Sequence, residues 1–128
     1  MKRALLFLLA LASCGGAVSA APGGCTNDGT LVPFQFETIT VSSTAVGFTS
    51  STFQPAGQTP AIMAVVTLAT NDVRWRVDGI APTAAIGHAY AATGALTVCG
   101  LQNIQQFRMI RQTSDATASV SYFRTGNN

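Results

Sequence analysis

His88 is the only imidazole in this sequence, so general-base chemistry near neutral pH would have to run through it. The carboxylate closest to it in sequence, Asp78, stands ten positions upstream, beyond an intervening Gly79-Ile80-Ala81-Pro82 loop. Serine and threonine are abundant, but none lies in a Gly-x-Ser-x-Gly turn of the kind that exposes a nucleophile. The five acids, Asp28, Glu37, Asp72, Asp78 and Asp115, are scattered rather than paired. No glycine-rich phosphate loop precedes a helical pattern. The residue types therefore predict a non-enzymatic protein with no catalytic, cofactor-binding or metal-binding residues and no cofactor. His88 reads as a loop or strand-start residue satisfied by hydrogen bonds.

The three cysteines divide by position. Cys14 closes Leu11-Ala12-Ser13-Cys14, a tetrad resembling the lipobox of bacterial lipoproteins, in which small residues admit the peptidase and the cysteine sulfur carries the lipid. Cys14 is thus a candidate lipidation site. The competing reading is ordinary cleavage after Val18-Ser19-Ala20, a small-x-small site. Either way Cys25 and Cys99 remain, an even pair in an oxidising compartment, and a disulfide between them is expected. Two buried free thiols are the alternative. A two-cysteine metal site is disfavoured by the single histidine and the wide spacing.

The elements around these residues begin with an export signal. Lys2 and Arg3 precede an uninterrupted apolar run from Ala4 to Ala12. Nine helical residues reach about 14 Å, against a bilayer core of about 30 Å, so the run suits a signal-peptide core and is too short to span. Gly15 to Gly24 has no periodicity and several Gly and Pro breakers, as a tether would. The expected division is a signal peptide over 1–20, a tether with the first retained cysteine over 21–30, and a β-domain over 31–128. The product is exported, either lipid-anchored in the cell envelope or extracellular.

Seven Lys and Arg against five Asp and Glu give +2, but Lys2 and Arg3 leave with the signal, and 5 − 5 leaves zero. A neutral domain offers no field for nucleic acid, and membrane contact is expected only through the signal peptide or a lipid anchor. A weakly charged surface favours association, which points to a protein partner or a homo-oligomer.

Period-two alternation recurs along the remaining chain. Val32-Phe34-Phe36 alternates with polar neighbours and Ile39-Val41 continues it. Val46 to Phe48 reads as a short strand, followed by a surface loop over 47–60. Ile62 to Leu68 is continuously apolar, as in a strand covered on both faces. The Thr70-Asn71-Asp72 break leads into Val73-Trp75-Val77, and the two runs read as a β-hairpin. Leu96 and Val98 mark a strand carrying Cys99. Gly100 to Asn103 reads as a turn, and Ile104 to Ile110 and Ala118 to Phe123 as the last strands. The expected fold is all-β, an antiparallel sandwich or jelly roll of about eight strands.

Within Val73 to Gly79, Trp75 shares one face with Val73 and Val77, leaving Arg74, Arg76 and Asp78 on the other. These three and His88 are candidate partner contacts, since Arg and Trp are enriched where interfaces concentrate their energy. The competing reading is a solvated face carrying ion pairs, each worth under about 1 kcal/mol. By parity Arg108 and Arg111 occupy opposite faces, so at least one needs compensation or a sheet edge.

The segment Asn71 to Phe123 also resembles a small domain frequent in phage and prophage structural modules. The matching residues are Val73 to Arg76, Asp78-Gly79, Ala81 to Ala84, Gly87, Phe107-Arg108, Ile110-Arg111 and Val120 to Tyr122. The resemblance implies a virion-associated or decoration-like structural role. Its motif makes sense as architecture: Asp78-Gly79 begins a turn, Pro82 fixes the backbone, and the Thr83 hydroxyl is expected to bond back to Asp78. Joined to an export signal, it implies a binding or structural module at a surface or in a virion-like assembly. The alternative is a lipid-anchored envelope protein of the exclusion-factor type that binds or masks an outer-membrane partner.

Overall fold

The computed structural model describes Cys25 and residues 30–126. Cys14, the expected signal peptide and most of the expected tether lie outside the described residues. Among the described residues, seven strands form two antiparallel sheets. The first holds β1 (Leu31–Val41), β2 (Met63–Thr70), β5 (Ala95–Cys99) and β7 (Ala116–Thr125), in the order β1-β7-β2-β5. The second holds β3 (Val73–Arg76), β4 (His88–Tyr90) and β6 (Arg108–Arg111), in the order β4-β3-β6. The expected all-β sandwich is therefore observed, with seven named strands rather than eight.

The alternation of β7 shows how the sequence builds it. Ala116, Ala118, Val120 and Tyr122 are buried, while Thr117, Ser119 and Ser121 between them turn to the outer face. The registers carry that parity across the sheet: Tyr122 lies beside Ala64, Val120 beside Val66 and Ala118 beside Leu68. Val73 and Met109 of the second sheet close the same core. The loops add Phe48, Phe53 and Phe107, with Phe48 stacked on Phe107 at 4.4 Å between ring centroids and edge-on to Tyr122 at 5.7 Å.

Cys25 and Cys99 are bridged. Because Cys25 precedes β1 and Cys99 ends β5, the bond ties the chain entering one edge of the larger sheet to the strand at its opposite edge.

Four local expectations are corrected. The apolar run and Val73–Arg76 do not form a hairpin: β2 pairs with β5 and β7, and β3 with β4 and β6. Asn71, at φ 54°, turns the chain out of one sheet and into the other, and its side-chain amide donates to the Asp115 carbonyl at 2.7 Å. A sheet-crossing corner uses the same Asn/Asp chemistry as a hairpin turn, so composition does not separate them. Ile104 does not begin a strand. Gly100, at φ 88°, opens a short helix α2 (Leu101–Gln106) that places Ile104 in the core, and only Arg108–Arg111 is extended. The segment 47–60 is not simply a surface loop: it holds a single turn α1 (Ser50–Phe53) and buries Phe48 and Phe53, while Val46 makes one isolated bridge to Met109. β2 is buried on its inner face only, with Met63 and Val65 half-buried and Thr67 exposed outside.

Candidate functional site

Strand β3 sits at the centre of the smaller sheet, where period two sorts its side chains. Trp75 lies between His88 of β4 and Met109 of β6, and its ring packs 4.8 Å from the His88 ring and 6.0 Å from Phe107. His88 opens β4 and is exposed, but among the described residues its ring makes no side-chain hydrogen bond and packs against Trp75 instead, which corrects the expected hydrogen-bonded residue. Arg74 and Arg76 occupy the outer face, and Arg76 lies beside Arg108. The three arginines thus share one face with Ile110 and Ala89.

Their electrostatic environments differ. Arg76 grips Asp78 with two donors, Nε to Oδ1 at 3.0 Å and Nη2 to Oδ2. Asp78 Oδ1 also accepts from the Ile80 N–H at 3.2 Å, so one carboxylate closes the turn and holds the arginine. Arg74 Nη1 donates to the Gly87 carbonyl at 3.1 Å, while its Nε is buried with no partner. Arg108 Nη1 donates to the carbonyls of Gln105 at 3.0 Å and Phe107 at 2.7 Å. Arg111, on the opposite face by parity, pairs with Asp115. The ion-pair reading of this face is therefore realised at Arg76–Asp78, and exposed pairs of this kind contribute little to stability.

The hydrogen bonds from Arg76 hold the Asp78 carboxyl below its ordinary value of 3.8, with the Ile80 N–H assisting. A depressed folded-state value means that the contribution is fully present above that ordinary value and is lost as pH falls through the lower folded one. We expect the Asp78 side-chain carbon, followed by NMR, to titrate below 3.8. In Arg76→Gln the midpoint should return toward that value. An unchanged midpoint would show that the bond does not form in solution.

The loop joining β3 to β4 folds back on this face. Gly87, at φ +132°, is the contact point: a Cβ there would stand 3.1 Å from Pro82 Cβ and 3.1 Å from the Trp75 carbonyl. Pro82 is correspondingly buried. Beyond it, Thr83 and Ile86 exchange backbone hydrogen bonds at 2.9 and 3.2 Å. The Thr83 hydroxyl accepts from the N–H groups of Ala85 at 3.3 Å and Ile86 at 3.0 Å and makes no bond to Asp78, which corrects the expected Thr83–Asp78 bond. The Asp78 carboxylate instead accepts from Arg76 and from the Ile80 N–H. The turn leaves Ile80 57% and Ile86 60% exposed, with Ala84 and Ala85 between them also outward.

The structure thus brings Arg74, Arg76 and Asp78 together, but places His88 beside Trp75 on the other face of the sheet. It adds Arg108, Ile80 and Ile86, which sequence reasoning had not placed with them. A signal was present: Gly79 to Gly87 carries two isoleucines, three alanines and a proline without alternation, a pattern no buried strand or polar turn requires.

No family of proteins, curated protein or solved structure matches this chain.

Proposed function

We propose that this protein is an exported, non-enzymatic binding or structural module that joins a surface or virion-like assembly through the β3–β4 loop. The observation that carries the reading is the exposure of Ile80 and Ile86 on a β3–β4 loop held by its own hydrogen bonds. Large exposed isoleucines on an internally bonded turn offer contact area with little ordering cost. The flanking arginines supply the polar rim that protein interfaces commonly show. Export is supported by the signal-like start of the sequence and by the Cys25–Cys99 bridge, which fits an oxidising compartment.

The test is a double substitution, Ile80→Ser with Ile86→Ser. The variant should melt like the parent, because both side chains are already in solvent, yet disappear from the envelope or particle fraction of the producing cells. Retention in that fraction at the parental level would overturn the role of the loop. Intact-mass measurement of the purified protein examines export separately. A diacylglyceryl mass on Cys14 supports the envelope form, a start at Ala21 supports simple secretion, and a protein retaining Met1 refutes processing.

A further inference from the structure

We infer that a second copy of this chain docks along the free edge of β1 by antiparallel pairing, joining two four-stranded sheets into one of eight strands. This deepens the assembly role, on which it rests, by naming the partner at one surface.

The four sheet edges are unequally defended. β6 is covered by the segment that follows β1: Val46 and Met109 exchange hydrogen bonds at 2.8 Å each, and the Arg111 N–H donates to the Ser42 carbonyl at 3.1 Å. β4 is three residues long. β5 is five residues long and carries the Cys25 bridge at its end. β1 is eleven residues long and pairs only with β7. Among the described residues, no backbone group of Leu31–Val41 makes a backbone hydrogen bond beyond that pairing.

Exposed edges are normally blunted by lysine, proline, a bulge or a cover. On β1 such devices occur at one end only, where Pro33 lies beside the irregularity between Pro33 and Gln35. From Gln35 to Val41 the register is unbroken. The single charge there, Glu37, is turned under the sheet. Its Oε1 accepts from the Tyr122 hydroxyl and from the Thr49 N–H at 3.0 Å.

That arrangement favours a second copy over a charged foreign strand. Two-fold antiparallel pairing sets each strand against itself, so a strand with outward charges would repel its twin. β1 has none, and its outward side chains are Phe36, at 60% exposure, with Thr38 and Thr40. Pairing centred on Thr38, the middle of the regular stretch, places Phe36 of each copy beside Thr40 of the other. The neighbouring outer-face residues on β7, Thr117, Ser119 and Ser121, are uncharged as well, so no field opposes the approach.

The processed protein, with its disulfide intact, should show the mass of a dimer by light scattering after size exclusion. Hydrogen exchange should show every second β1 amide gaining protection as concentration rises, the set that points away from β7. Phe36→Lys with Thr40→Lys should halve the mass and abolish that alternate protection, and it should melt where the parent melts once diluted to its monomer, because the dimer's contribution to stability is lost with the pairing. If this variant folds poorly, Thr38→Lys alone makes the same test. A parent that is monomeric at every concentration, or a dimer whose edge amides exchange freely, overturns the pairing. Either result leaves the loop reading to stand or fall on the isoleucine variants, whose readout is the assembly fraction.

Discussion

Tyr122→Ala should destabilise the domain by about 3–5 kcal/mol, a large share of the roughly 5–15 kcal/mol that holds a domain of this size. Tyr122 is fully buried, meets Phe48 edge-on and Phe53 at a tilt, and faces Ala64 on the neighbouring strand β2. Alanine there opens a cavity between rings that cannot collapse, because Phe48 is already stacked on Phe107. The hydroxyl contributes separately. Burial, followed by its hydrogen bond to Glu37, pushes its titration far above the usual tyrosine range, so it remains a neutral donor. Tyr122→Phe should therefore cost about 1.5–3 kcal/mol, the usual range for removing a hydrogen bond to a charged group. The cost should shrink when Glu37 is also replaced by Gln, as expected of contacting partners. Urea unfolding followed by tryptophan fluorescence measures all three. A Tyr122→Ala variant within 1 kcal/mol of the parent, against the magnitude cited, would show that the aromatic cluster does not organise the core.

The second large effect concerns Cys25→Ser or Cys99→Ser, which should remove about 4 kcal/mol. The bridged residues are 74 apart in sequence, and in the chain-entropy model closing a loop of that length restricts the unfolded chain by about that amount. The expected readout is a lower urea midpoint in either single variant and in reduced parent, with the double variant no worse than the singles. Unequal midpoints for the two single variants would mean that one cysteine contributes something other than the bridge. The position of the bond sharpens the expectation. It connects the chain before one edge strand of the larger sheet to the other edge strand, so its loss should loosen β1 and β5 before β7 and β2. Hydrogen exchange of the reduced parent would show that order.

Strand β7 was legible because its alternation is strict. In β7, small and large apolar residues fall at every second position and hydroxyls fill the rest, so parity alone identifies the inner face. Val73 and Trp75 were placed on the inner side of β3 by the same logic, and Arg74 and Arg76 outside. Elements that carry too few residues to establish a period were not legible. α2 has six residues and α1 four, so neither shows more than one helical repeat. The hairpin expected between β2 and β3 failed for another reason: Asn71 specifies a change of direction, and which sheet receives the next strand depends on long-range pairing with β4 and β6.

The candidate site divides along the same line. Arg76 and Asp78 are two residues apart, so their pairing is local and readable. Arg108 joins them only because β6 and β3 are neighbours, a contact between residues more than thirty positions apart. Ile80 and Ile86 are conspicuous as residue types, but their exposure follows from Pro82 being buried over Gly87, which turns the rest of the loop outward.

Short-range chemistry in the chain itself therefore determined the export-type start, the even cysteine pair, the alternating strands and the scarcity of groups able to do acid–base work. Each depends on spacing over a few residues or on counting. Tertiary structure alone decided which strands became edges, which arginines share a face, and which apolar side chains remained in solvent. Those properties belong to the order of strands in the two sheets, and strand order is set by the pairing energy of segments that are distant in sequence.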